Sequence, residues 1–156
     1  MGFDLHDYQT TLKSRVSLSG IGVHSGKPVS IHFSPADPDT GIVFVKTDEA
    51  GETVEVRALV AEIGATDLCT DLGTRAGARV ATVEHLLAAL SALGIDNVLI
   101  DIDGDEVPIL DGSAAMFVEA FDQAGIAQQA VKRRYIRIVK PVRIDSGASW
   151  AEFHPY

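Results

Sequence analysis

Apolar positions recur along this 156-residue chain with two different periods. In the first third the period is two. Val29, Ile31 and Phe33 alternate with Ser30 and His32, the pattern of a half-buried strand. On the same reasoning residues 10–18, 29–33, 42–45 and 54–60 predict strands, and 68–70 a short extended piece. The period then becomes helical. Val83, Leu86, Leu87, Leu90 and Leu93 fall within an arc of roughly 120° when successive residues turn by about 100°. Gly94 is placed to end that helix. Residues 98–102 predict a strand, closed by an Asp103-Gly104-Asp105 turn. A second helix starts near Ser113, with Met116, Phe117, Ala120, Phe121 and Ala124 as its apolar face and Gly125 at its end. Residues 135–144 and 150–153 predict two strands joined by Asp145-Ser146-Gly147.

The order is several strands, a helix, a strand, a helix and a hairpin. It predicts an α+β fold: a two-layer α/β sandwich with a mostly antiparallel sheet and two helices on one face. The last hairpin follows a unit that already looks complete and has no helix of its own. The domain reading is therefore 1–129 as one domain and 130–156 as a linker plus the first hairpin of a second. There is no short repeat and no low-complexity tract.

Composition narrows the function class. Apolar residues make up 46% and charged residues 22%, ordinary for a globular protein. No apolar run approaches the roughly 20 residues of a membrane-spanning helix. The first eight residues carry Asp4 and Asp7 and lack a basic start and an apolar core, unlike a secretory signal. Cys69 is the single cysteine, which fits a reducing compartment such as the cytosol. A net charge of −9 argues against nucleic-acid binding. That charge is unevenly placed: residues 1–131 hold seven of the 13 basic and 20 of the 22 acidic residues, a net of −13. Lys132, Arg133, Arg134, Arg137, Lys140 and Arg143 then follow without an acid among them. The run reads as a solvated strand edge, or as a surface that meets an acidic partner, the acidic segment itself included.

The residues with most chemical content sit at the start of the first helix. Thr82 is placed to cap it, which puts Glu84 and His85 in its first turn. The helix dipole there favours a carboxylate and keeps an imidazole neutral, the form that binds metal. Both lie off the leucine stripe, on a face with Ala88, Ala89 and Ala92 that is small enough for another element to approach. The His-Glu-x-x-His zinc motif is absent, and its inverted form would need histidine where Ala81 stands. By itself a Glu-His pair reads more simply as a cap or surface pair than as a metal site. His24 lies in a glycine-flanked loop, where a hydrogen-bonded loop histidine is the plain reading. That loop lacks the third glycine and following helix of a dinucleotide site. Cys69 reads as a buried small hydrophobe, Asp111 and Ser113 as caps of the second helix, and Trp150 as core.

The segment 82–90, Leu93-Gly94-Ile95-Asp96-Asn97, Val107-Pro108-Ile109-Leu110-Asp111-Gly112-Ser113-Ala114, the opening Ser19-Gly20-Ile21-Gly22-Val23-His24-Ser25-Gly26 and Leu68-Cys69-Thr70 occur in this order. Together they resemble the N-terminal domain of the UDP-3-O-acyl-N-acetylglucosamine deacetylases, zinc amidohydrolases of lipid A biosynthesis. Trp150-Ala151-Glu152-Phe153 and Pro155-Tyr156 resemble the start of that family's second domain. By this resemblance His85 is one of three Zn2+ ligands and Glu84 the general base. Leu68 and Cys69 line the cleft of the UDP-linked acylated glucosamine, and His24 and Asp111 support the site. The implied reaction hydrolyses the N-acetyl group and releases acetate, in the cytoplasm near the inner membrane surface and without a transmembrane anchor. The family's other ligands form a His-x-x-x-Asp pair in the second domain. His6, His24, His32 and His154 are none of them followed by Asp four residues later. The expectation is an incomplete zinc site, a C-terminal domain lying outside this chain, and no activity of the chain alone. The alternative is a non-catalytic fragment that binds a protein partner through its interdomain face, with a bare α/β scaffold as a third reading.

Overall fold

The alternating first half of the chain builds most of one mixed sheet. The computed structural model describes residues 7–47, 51–73 and 77–156. Met1–His6, on which most of the N-terminal reading rests, fall outside the described residues. The elements are β1 (Tyr8–Leu12), β2 (Val16–Ile21), β3 (Pro28–Pro35), β4 (Ile42–Thr47), β5 (Thr53–Arg57), a 3-10 turn (Val60–Glu62), β6 (Leu72–Gly73), β7 (Arg79–Val80), α1 (Glu84–Leu93), β8 (Val98–Ile102), α2 (Ala115–Ala124), β9 (Ile126–Lys132), β10 (Val142–Ser146) and β11 (Ser149–Phe153).

The five-stranded sheet has the order β2-β3-β8-β4-β5. Its neighbours are antiparallel except β4 and β8, which run parallel. On β3 the period of two does what it predicts: Val29, Ile31 and Phe33 are buried and His32 is exposed. Ile31 sits opposite Leu18 on β2 and Ile102 on β8, so the apolar positions of three strands face one side. Both helices pack into that core, α1 through Val83, Leu86, Ala89 and Leu90, and α2 through Phe117 and Phe121. Phe121 meets Phe33 edge to face, with ring centroids 5.0 Å apart and planes at 87°. The α+β sandwich read from the sequence is thus the observed architecture.

Several details differ from the sequence reading. Residues 10–18 are not one strand. The exposed Lys13, Ser14 and Arg15 interrupt it, and β1 leaves the main sheet to pair with β9. Strand β9 went unread because its sequence is largely polar. It is the outer partner of a two-stranded ribbon and buries little side chain. The strand read over 54–60 ends at Arg57, where the chain turns into the 3-10 segment. The piece 68–70 is bent rather than extended, with Leu68 at φ 65°. The strand read over 135–144 begins only at Val142, since Pro141 before it has no N–H to donate to a ladder.

Two side-chain placements are also corrected. Met116 is 39% exposed, off the buried face of α2. Trp150 is 61% exposed and not core; Arg143 stacks over its ring at 4.4 Å. That hairpin, β10–β11, pairs only with itself among the described residues and is mostly exposed, as its lack of a covering helix predicts.

The basic run finds acidic partners in the first part of the chain. Arg133 donates through Nε and Nη2 to the Asp96 carboxylate at 2.8 and 2.6 Å and to the Gly94 carbonyl at 2.7 Å. Arg134 lies 3.8 Å from Asp39. Gly94, at φ 67°, ends α1 in the left-handed conformation that glycine adopts without a Cβ penalty.

Candidate active site

α1 begins just after a residue in left-handed backbone conformation. Thr82 has φ 58°, Val83 occupies the cap position, and no side chain caps the helix. Thr82 is therefore not the hydrogen-bonding cap that its residue type suggested, because its hydroxyl is used elsewhere. It donates to Oε1 of Glu106 at 3.0 Å. The Val83 N–H reaches the Thr70 carbonyl at 3.2 Å instead.

Glu84 is the first residue of α1, and its Oε2 accepts from the Thr70 N–H at 3.0 Å. One hydrogen bond thus fixes the carboxylate at the positive end of the helix, where an anion is favoured. His85 follows it, half-buried at the same end. The small-residue face is only partly as expected. Ala88 and Ala92 are exposed, but Ala89 is fully buried in the core with Leu86 and Leu90.

Asp111 lies on the same rim. The Ser113 N–H at 3.0 Å and then its hydroxyl at 2.9 Å hold the Asp111 carboxyl below the usual carboxylate range, with a smaller contribution from His85. The Ser113 hydroxyl also accepts from the Ala115 N–H at 3.0 Å, but the cap position of α2 is Ala114, which has no side-chain cap bond, so Asp111 and Ser113 lie just ahead of the helix rather than at its cap.

Cys69 is half-buried rather than buried, and its thiol donates to Oδ1 of Asp71 at 3.3 Å. Partial burial, and then the Asp71 carboxylate, push the thiol pKa up. That favours the thiol over the thiolate and makes Cys69 a weaker nucleophile than a free cysteine. Leu68 beside it is 92% exposed. An exposed leucine in left-handed conformation costs strain without a burial gain. Four described non-glycine residues have φ between 54° and 65°, and three of them, Leu68, Thr82 and Leu110, adjoin this rim.

His24 is held by its backbone, not its ring. The N–H groups of His24 and Ser25 donate to Oε1 and Oε2 of Glu106 at 2.9 and 2.8 Å. Burial of Glu106 acts to raise its pKa, but the donors from His24, Ser25 and Thr82 outweigh that and lower it to about 2. Sequence reasoning missed Glu106 and the linking role of Thr82. Glu106 ends an acidic turn and reads there as one more solvated charge.

The structure brings together Glu84, His85, Thr70 and Asp111, with the His24 loop attached through Glu106. The family model for LpxC, UDP-3-O-acyl N-acetylglycosamine deacetylase, matches residues 9–156. The chain belongs to this family. The UDP-3-O-acyl-N-acetylglucosamine deacetylases of Brucella ovis, Brucella suis biovar 1 and Brucella melitensis biotype 2 are each 55% identical to it over 152 residues, 97% of this chain and 52% of theirs. The chain spans about half the length of the curated relatives it matches.

The zinc that the family resemblance implies needs protein ligands. The chain's described residues contain no group of three His, Cys, Asp or Glu side chains that could hold an ion. A catalytic zinc takes three protein ligands, so these residues do not fit a complete site on their own. A cavity of about 740 Å3 opens at the other end of α1, lined by Arg57, Ser91, Asp96, Asn97, Arg133 and Arg134 among others, and neither Glu84 nor His85 reaches it. No described helix is long and apolar enough to cross a membrane.

Proposed function

We propose that this chain carries the Glu84–His85 part of a deacetylase site that hydrolyses the N-acetyl group of UDP-3-O-acyl-N-acetylglucosamine in lipid A biosynthesis. Water adds to the amide carbonyl, the carbon–nitrogen bond breaks, and acetate and a free amine leave. Glu84 is the general base that takes the proton of the attacking water. His85 contributes one Zn2+ ligand, and the remaining ligands come from residues outside this chain. The metal supplies Lewis-acid polarisation when bound. Leu68 and Cys69 border the substrate, while His24 and Asp111 support the rim. Residues 130–156 open a second domain, and the protein works in the cytoplasm near the inner membrane surface.

The observation that carries this reading is the Thr70 N–H bond to Glu84, which holds a carboxylate beside a half-buried imidazole at a helix start. The relatives at 55% identity carry the deacetylase name, which supports the reaction class. A second reading, a non-catalytic module that binds a protein partner, draws on the exposed small face of Ala88, Ser91 and Ala92. The test is Glu84→Gln and His85→Ala in the full-length protein. Glu84→Gln is expected to lower turnover by about 10²–10⁴-fold with zinc content unchanged, and His85→Ala to weaken zinc binding. Unchanged turnover in the first and unchanged zinc affinity in the second refute the assignment and favour the binding module.

A further inference from the structure

Three segments meet at the start of α1, and one buried side chain joins them. Glu106 is 5% exposed. Its Oε1 accepts from the His24 N–H and the Thr82 hydroxyl, and its Oε2 from the Ser25 N–H. Next to Thr82, the Val83 N–H reaches the carbonyl of Thr70, whose own N–H holds Glu84. The backbone of Glu106 is tied to the same place: Ala81 and Glu106 form a parallel bridge, and the Val107 N–H reaches the Ala81 carbonyl at 3.0 Å. The loop is shaped for this contact, since a Cβ on Gly22 would collide with the Glu106 carboxylate and the Ser25 hydroxyl. An alanine there displaces the carboxylate from its donors.

We propose that Glu106 is a positioning residue of the active site: its carboxylate clamps the His24 loop onto the left-handed turn at Thr82 and so sets the direction in which α1 presents Glu84 and His85. The inference rests on the deacetylase reading of that pair. Thr82 lies two residues before Glu84, and a non-glycine residue at φ 58° persists only where its surroundings hold it. The bond to Glu106 restrains that residue through its side chain. Releasing it lets the turn relax and moves Glu84, and misplacement by about 1 Å costs on the order of 10²-fold in rate.

The test compares Glu106→Gln, Thr82→Val and Asp96→Asn in the full-length protein, with turnover normalised to folded, zinc-loaded molecules. Gln keeps the shape of Glu106 but turns an N–H₂ group toward a donor, and Val keeps the shape of Thr82 without its hydroxyl. Asp96→Asn breaks the Arg133 pair at the far end of α1 and controls for a loss of stability alone. Expected are a fall in kcat of about 10- to 100-fold for Glu106→Gln and a smaller fall for Thr82→Val, with KM within about threefold of wild type. Asp96→Asn is expected to keep wild-type kcat. Amide hydrogen exchange at His24 and Ser25 should quicken in Glu106→Gln and stay slow in Asp96→Asn. Wild-type kcat per folded molecule in Glu106→Gln, or unchanged exchange at His24 and Ser25, overturns the proposal. If Glu106→Gln does not fold, Thr82→Val decides it by the same kcat criterion. An inactive Glu84→Gln beside a fully active Glu106→Gln leaves the deacetylase reading standing and removes only this one.

Discussion

Acid should weaken the fold in a way that Glu106→Gln abolishes. The Glu106 carboxyl is held at about 2 in the folded protein against an ordinary value of 4.5. Because the folded value is the lower one, the unfolded chain binds the extra proton, and stability rises with pH across that interval. The contribution is complete above about 4.5 and is lost as pH falls toward 2. At ~1.4 kcal/mol per tenfold its ceiling is about 3 kcal/mol, with solvent at the exposed loop reducing it. More than half of that contribution should be gone by about pH 3. The assay is urea unfolding of wild type and Glu106→Gln in the full-length protein at pH 7, 5, 4 and 3. The wild type should be the more stable by about 2 kcal/mol at neutral pH, with the gap narrowing steadily below pH 4.5. A gap that stays constant from pH 7 to pH 3 refutes the reasoning, since Glu106 would then contribute packing and not a charge accepting three donors.

Other consequences follow from the packing and the caps. Phe121→Ala empties the fully buried edge-to-face partner of Phe33 and should cost about 3–5 kcal/mol in denaturant unfolding. Gly94→Ala places a Cβ in a left-handed C-cap, 3.4 Å from Nη2 of Arg133. It should cost about 1 kcal/mol, read as a lowered Tm with unchanged secondary structure by circular dichroism. Cys69, whose thiol pKa is pushed up by partial burial and the Asp71 carboxylate, should alkylate with iodoacetamide more slowly at pH 7.5 than glutathione does.

The parts of the fold legible in the sequence are those whose signal is short-range and repeated. The leucine stripe gave α1, the alternation Val29-Ile31-Phe33 gave β3, and Gly147 marked the β10–β11 turn, although Asp145 and Ser146, read with it as turn, are paired residues of β10. What failed depended on a distant partner. Nothing in Ile126–Lys132 marks a strand until β1 lies beside it. Ala89 looks like surface beside Ala88, yet it is fully buried in the core with Leu86 and Leu90. Trp150 looks like core from its type alone, yet the hairpin that carries it is covered by nothing among the described residues.

The candidate site divides in the same way. Glu84 and His85 are adjacent, and their place in the first turn of α1 was readable from the local pattern. The groups that hold them are scattered. Thr70 reaches Glu84 across 14 residues, and Glu106 reaches Thr82 across 24 and His24 across 82. No local pattern connects an acid in an aspartate-rich turn to a glycine-flanked loop so far away. A reactive group needs only its residue type and a helix end to be noticed, whereas its geometry depends on neighbours that only the fold supplies. The left-handed Thr82 makes the point physically. Its backbone is left-handed although it is not a glycine, and its hydroxyl, drawn away from the capping position, bonds Glu106. A carboxylate whose partners come from two other segments is thus where strain next to the site and order within it are set together.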